Sequence, residues 1–160
     1  DTDQEILIPD DYVESITERL SLYTRLDNCE TEGELMEFHQ ELQDRFGPVP
    51  GEVDDLFDTV RIRKLAVELG FEKLIFKDKE VRLYFINRPD AKYFESAVFR
   101  NLLDFIQKQT RQARLKQNGK LFLLIVHDIG SMKKLLEFMQ RIHRSVLQTD
   151  QQKTPEAVKK

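Results

Sequence analysis

The side chains with the most reactive chemistry in this sequence are three histidines, His39, His127 and His143, and a single cysteine, Cys29. A zinc centre announces itself as paired ligands a few positions apart. These histidines fall on separate stretches without such pairing, so no metal site is expected. His143 lies among apolar positions at helical spacing and reads as a packed or boundary histidine. Cys29 lies where a helix ends, and the negative end of a helix dipole opposes a thiolate. It reads as structural. No GxxxxGK[ST] or GxGxxG loop offers a phosphate cradle. No serine occupies a GxSxG elbow. The expectation is a domain that is not itself an enzyme, with no catalytic residue and no cofactor.

What the sequence offers instead is charge. Residues 1–70 carry 19 acidic and 6 basic side chains, and residues 71–160 carry 10 acidic and 19 basic, within a total of −4. A split of this kind bears on which partners a surface attracts rather than on the fold. In the acidic half, Glu37, Glu41 and Asp44 project to one side of a helix whose other side carries Leu35, Phe38, Leu42 and Phe46, at 100° per residue. Such a stripe is either a solvated face or a surface for a basic partner. In the basic half, Arg111, Arg114, Lys116 and Lys120 cluster around a hairpin, and Lys133, Lys134, Arg141 and Arg144 lie on the last helix. Phosphate binding needs such charge, but aromatics interleaved with it are scarce. A solvated basic face and an accessory nucleic-acid-binding module over 71–148 both remain open.

The elements that must position these groups follow from periodicity. Pro9-Asp10-Asp11 opens a first helix, with Asp11 and Glu14 at capping-box spacing. Its apolar stripe is Tyr12, Val13, Ile16, Leu20, Tyr23 and Leu26, and Asn28-Cys29 ends it. Thr31-Glu32-Gly33-Glu34 is a capping box for a second helix, which Gly47 stops and Pro48-Val49-Pro50 prevents from continuing. A third starts near Pro50 or Gly51, with Val53, Leu56, Phe57, Val60 and Val67 on one face, widened by Ile62, Leu65, Ala66 and Leu69. Gly70 closes it.

The period then drops to two. Leu74 and Phe76, a turn at Asp78-Lys79, and Val81, Leu83 and Phe85 predict a β-hairpin. A fourth helix from Pro89-Asp90 carries Phe94, Val98, Leu102, Phe105 and Ile106. Asn118-Gly119 predicts the turn of a second hairpin, with Lys120–His127 as its second strand. The unbroken apolar run from Leu121 to Val126 predicts an interior strand covered on both faces. Ser131 caps a fifth helix with Met132, Leu135, Leu136, Met139, Ile142 and Val146 on one face. The fold class expected is α+β: an N-terminal three-helix part, then two β-hairpins alternating with helices in a small, mostly antiparallel sheet.

At 160 residues the chain fits a single domain, read here as 1–148 with a disordered polar tail over 149–160. One unpaired cysteine suits a reducing, cytoplasmic setting. No apolar run approaches the ~20 residues of a membrane span, so no membrane partner is expected. The chain lacks an initiating Met, which suggests a piece of a longer protein or a processed one.

Ile8-Pro9-Asp10-Asp11-Tyr12, Arg19-Leu20, Tyr23, Glu34-Leu35, the segment Glu41-Leu42-x-Asp44-Arg45-Phe46-Gly47-Pro48-x-Pro50, then Arg63, Ala66 and Leu69-Gly70, together resemble the C-terminal domain of bacterial transcription-repair coupling factors (Mfd). The resemblance covers about residues 6–76 and fades beyond. It implies a regulatory domain of an ATP-driven DNA translocase that displaces stalled RNA polymerase. It also implies that the domain folds back on a UvrB-like N-terminal module of the same chain and masks the surface that UvrA binds. Glu41 and Asp44 lie inside the motif and, with Glu37, become the candidate partner interface. Arg45, Phe46, Gly47, Pro48 and Pro50 become its scaffold. Two roles for Arg45 stay open: lying along Phe46, or reaching a partner.

Overall fold

A computed structural model of the chain describes residues 6–88, 92–108 and 111–148. Two compact units divide it, Gln4–Arg61 and the part from Ile62 onward, and the boundary falls inside a helix.

The N-terminal unit holds α1 (Ile16–Asp27), α2 (Glu32–Phe46) and the first part of α3 (Gly51–Leu69). The expectation that the first helix begins at Pro9 is corrected. Pro9–Val13 is a separate turn, in which Pro9 O accepts from Tyr12 N and Val13 N at 3.1 and 3.2 Å. α1 starts only at Ile16, where the Ser15 hydroxyl accepts from Glu18 N. Arg19 fastens the turn to the helix by donating from Nη1 to Val13 O at 2.6 Å. The late start also rotates the buried stripe. Leu22 and Leu26 enter the core, while Ile16 and Leu20, expected inside, are 66% and 61% exposed.

The second helix follows its cap. Thr31 Oγ1 accepts from Glu34 N at 3.1 Å, and the Glu34 carboxylate reaches back to Glu30 N at 2.9 Å, one residue beyond the usual capping-box donor. Leu35, Phe38 and Leu42 pack with Leu22, Leu26, Val53 and Phe57 into one cluster. Gly47 ends the helix at φ 91°. Val53 and Asp54 donate to Pro50 O, so α3 begins where the proline's missing donor costs nothing.

In the C-terminal unit the chain forms β1 (Phe71–Lys77), β2 (Glu80–Phe85), α4 (Ala97–Lys108), β3 (Ala113–Asn118), β4 (Leu121–Val126) and α5 (Met132–His143), the last running into a π-helical turn over Arg144–Gln148. The fold is α+β, with one four-stranded sheet in the order β1-β2-β4-β3 and every pairing antiparallel. β2 and β4 are central, so the apolar run of β4 is an interior strand. Leu123 to Val126 are all buried. Leu74 and Phe76 lie on the edge strand and are only half-buried.

Both hairpins have two-residue loops, with different turns. Asp78 and Lys79 both take positive φ, 51° and 62°, the type I′ pattern without a glycine. In the second, Asn118 pairs with Leu121, so the loop is Gly119-Lys120 and only Gly119 takes positive φ. That is the type II′ pattern, one residue later than Asn118-Gly119 predicts.

Two further expectations change. The fourth helix begins at Ala97, after a 3-10 turn over Lys92–Glu95, with Ser96 Oγ accepting from Phe99 N at 3.2 Å. Pro89-Asp90, expected to start it, and the tail from Thr149 lie outside the described residues. Val67, placed on the buried face of α3, is 66% exposed.

The core of this unit is aromatic. Phe85 stacks on Phe122 at 4.8 Å and meets Phe71 at 4.7 Å and Phe99 edge-on at 5.7 Å. Tyr93 closes the cluster and donates to Leu69 O at 2.5 Å. Burial raises its phenol pKa. Gly70, at φ 96°, sits beneath that ring, and a β-carbon there would lie 2.2 Å from it. Gly70→Ala should therefore cost about 2–4 kcal/mol, combining a left-handed backbone with an overpacked ring. Gly119→Ala, at φ 64° in open space, should cost about 1 kcal/mol. Urea unfolding of the two variants measures the difference; equal losses would remove the ring contact from the explanation.

Candidate acidic interface on the second helix

The end of α2 is fixed from several directions. Phe46 is half-buried and packs against Tyr12 with ring centroids 5.7 Å apart. The Tyr12 hydroxyl donates toward both Leu42 O at 3.1 Å and Gly47 O at 3.0 Å. Burial and the nearby Asp54 carboxylate raise the Tyr12 pKa, so the hydroxyl stays a donor at neutral pH. Pro48 and Pro50 set the exit. These contacts give Phe46, Gly47, Pro48 and Pro50 their place in the motif: they hold a rigid helix end.

Arg45 lies along Phe46, and its charge is met by carboxylates of the same chain. Its guanidinium lies over the Phe46 ring, 4.8 Å from the centroid. The same group pairs with Glu18 of α1 and, at 3.3 Å, with Glu41 one turn earlier. Glu41 is gripped from the other side by Arg25 of α1, whose Nη1 and Nη2 donate to its two carboxylate oxygens at 2.5 and 2.8 Å. Arg25 itself lies over the Phe38 ring at 4.4 Å. The result is a chain of charges, Glu18–Arg45–Glu41–Arg25, running across α1 and α2 with both cations seated on aromatic rings.

The picture of three free carboxylates directed outward is therefore corrected at Glu41. That side chain turns toward α1 and is neutralised by two arginines. Glu37 and Asp44 are exposed, and Asp44 accepts only from Gln40 Nε2, at 2.9 Å, among the bonds described for it. Sequence reasoning missed Glu18 and Arg25, because these pairs span 27 and 16 positions and form only once the helices pack.

Elsewhere each histidine meets one carboxylate: His39 with Asp54 at 2.8 Å, His143 with Glu68 at 2.6 Å and His127 with Glu80 at 3.6 Å. Among the described residues no group of three or more such side chains could hold a metal. Burial, and next the Glu34 charge, push the Cys29 thiol pKa up. That matches its reading as an unreactive thiol.

The hydrogen bonds from Arg25 hold the Glu41 pKa down to about 2. In the unfolded chain it titrates near its ordinary value of about 4.3. Folding thus favours the ionised form. The stabilisation is complete above about pH 4.3 and is lost as pH falls through the folded value. Both Arg25 and Glu41 are partly exposed, at 45% and 37%, so solvent screens the pair, and its contribution is about 1 kcal/mol or less. Glu41→Gln should lower the melting temperature slightly at pH 7, and the gap from the parent chain should close between about pH 5 and 2. A gap that stays constant over that range would show that the ion pair does not set it.

Comparison with known proteins covers the stretch that holds the motif. The TRCF domain family model matches residues 2–96. The transcription-repair-coupling factor of Escherichia coli (strain K12) is 32% identical over 140 residues, 88% of this chain and 12% of that protein. The transcription-repair-coupling factor of Rickettsia conorii (strain ATCC VR-613 / Malish 7) is 33% identical over 116 residues, 72% of this chain and 10% of that protein. The chain thus spans about a tenth of the length of these relatives. A solved structure described as the crystal structure of the C-terminal domain of transcription-repair coupling factor shares its fold, with a TM-score of 0.69 at 17% identity over 92% of this chain and 91% of that one. With the helix-end motif in place and the match running through it, the chain belongs to the TRCF domain family of transcription-repair coupling factors.

Proposed function

We propose that this chain is the regulatory, autoinhibitory part of a transcription-repair coupling factor, acting through protein contacts rather than catalysis. In this reading the acidic side of α2 docks on a UvrB-like module of the same protein and covers the surface that UvrA would bind. The parent is then an ATP-dependent DNA translocase that displaces stalled RNA polymerase in nucleotide excision repair, and UvrA and RNA polymerase are partners of this domain only indirectly.

The observation that carries the reading is the charge chain on the rigid end of α2, with exposed Asp44 and Glu37 beside it. Surface pairs of this kind contribute little to stability. They are costly in side-chain entropy to hold in one arrangement, and that cost is already met before a partner arrives, because both arginines rest on aromatic rings. Asp44 and Glu37 offer direct contacts to basic groups. Glu41 takes part by exchange, releasing one internal arginine when an external one approaches.

A latch of this type has to hold without being permanent. A 99:1 preference for the closed state needs only about 2.7 kcal/mol, within reach of a few partly desolvated charge pairs. It should also weaken with salt.

The test is binding of the 160-residue chain to the parent's UvrB-like module by titration calorimetry. Asp44→Ala should weaken binding about threefold, and Glu41→Ala with Asp44→Ala about tenfold or more. Raising salt from ~50 to ~500 mM should weaken the unaltered pair in the same direction. Unchanged affinity in the double variant would remove α2 from the interface.

A further inference from the structure

We infer that the solvent-facing side of the four-stranded sheet binds single-stranded nucleic acid, with phosphates over its flanking cations and a base against Tyr84. The antiparallel register decides which side chains share a face. Val81, Leu83 and Phe85 point into the aromatic core, together with Leu124 and Val126 of β4. Their neighbours in sequence must point the other way.

On that second face, two rows cross the sheet. In one, Ile75, Arg82, Ile125 and Arg114 are aligned across β1, β2, β4 and β3. In the next, Lys73, Tyr84, Leu123 and Lys116 are aligned in the same way. The second row places Tyr84 and Leu123 between Lys73 and Lys116, and in the first row isoleucine and arginine alternate across the sheet. Leu123 and Ile125 are buried, so the apolar surface open on this face comes from half-buried Ile75 and Tyr84 and from Leu121, 44% exposed. A shallow depression lined by Arg82, Tyr84, Lys116, Leu121 and Leu123 lies along this face.

The cations are available. Lys73, Arg114 and Lys116 are exposed, and none of them pairs with a carboxylate among the described residues. Lys73 Nζ stands 5.6 Å from the centre of the Tyr84 ring, which places positive charge beside a half-exposed aromatic. Glu80 is the acid in register on this face. It binds Arg82 at 3.0 Å and lies 3.6 Å from His127, at the end of the sheet away from Lys116.

This arrangement selects among anionic partners. A sheet face with a half-exposed tyrosine and an exposed leucine set among cations suits unstacked bases joined by phosphates. A duplex turns its bases inward and would leave Tyr84 and Leu121 uncovered. An acidic peptide would engage the cations but has no ring to stack. The interleaving of aromatic and basic groups that the sequence lacks in linear order is supplied by strand pairing.

The test uses the 160-residue chain and a fluorescent twelve-nucleotide oligothymidine, read by anisotropy at low salt. Binding should weaken with salt, with a log–log slope of about −3 for four phosphate contacts. Arg114→Glu with Lys116→Glu should weaken it about thirtyfold or more. Tyr84→Ala should weaken it about tenfold, while Tyr84→Phe should bind as the parent does. Lys133→Glu with Arg144→Glu, on α5 and its C-terminal cap and outside both rows, should change affinity by less than about threefold. No binding at low salt would overturn the proposal. So would equal affinity for a duplex or for polyglutamate, or a loss on α5 as large as that at Arg114 and Lys116.

Discussion

The helix end at Phe46-Gly47 is the constraint on which the N-terminal unit turns. A helix leaves its last carbonyls without intrahelical donors, and the chain beyond must leave at a defined angle. Here Gly47 takes a backbone conformation that a β-carbon would oppose, the two prolines that follow deny any return to helix, and the Tyr12 hydroxyl bridges Leu42 O and Gly47 O. Tyr12 comes from the Pro9–Val13 turn, and its ring packs on Phe46. One aromatic pair thus ties the entry segment to the end of α2. With that end fixed, Arg45 has one ring to lie on and two carboxylates within reach.

A second consequence concerns what the ion pairs are for. If stability were their purpose, exposed arginine–glutamate pairs would be a weak means, since solvent screens them and ordering long side chains opposes them. Burial of Leu22, Leu26, Leu35, Phe38, Leu42 and Phe57 is far larger in effect. The pairs instead determine where charge sits. Arg25 and Arg45 draw Glu41 and Glu18 into a fixed line and leave Asp44 and Glu37 outside it. A face with some charges engaged and others open can exchange partners with little net change in pairing, as a reversible contact requires.

Much of this was legible in the sequence, and the failures have definite causes. The caps at Thr31 and Ser131, the stop at Gly47, the interior position of β4 and the buried face of α5 follow from local rules, and all appear. The first helix was misplaced because two capping signals compete within a few residues. Asp11-x-x-Glu14 has the spacing, but Ser15 caps, since Pro9 O already binds Tyr12 and Val13 in a turn of its own. That shift turned Ile16 and Leu20 outward. The second hairpin slipped by one residue because both Asn118-Gly119 and Gly119-Lys120 satisfy a two-residue turn, and the register of β3 on β4 decides between them. Within the acidic stripe, helical projection gave the correct side of α2 but not the neighbour. Arg25, from a helix packed alongside, was invisible to any pattern within α2.

The charge split along the chain acquires physical meaning at this point. A sequence total of −4 conceals two units that display opposite signs through different geometry. In the N-terminal unit, a helix with one apolar side leaves its acids on the remaining arc, where neighbouring helices can reach some of them. In the C-terminal unit, the sheet's period of two is stricter. Burying Val81, Leu83 and Phe85 forces Arg82 and Tyr84 to the opposite face, and pairing aligns them with Ile125, Arg114, Leu123 and Lys116. A slip of one residue would carry the cations into the aromatic core. The core therefore fixes the composition of the outer face: the packing that excludes water on one side of the sheet also gathers positive charge around Tyr84 on the other.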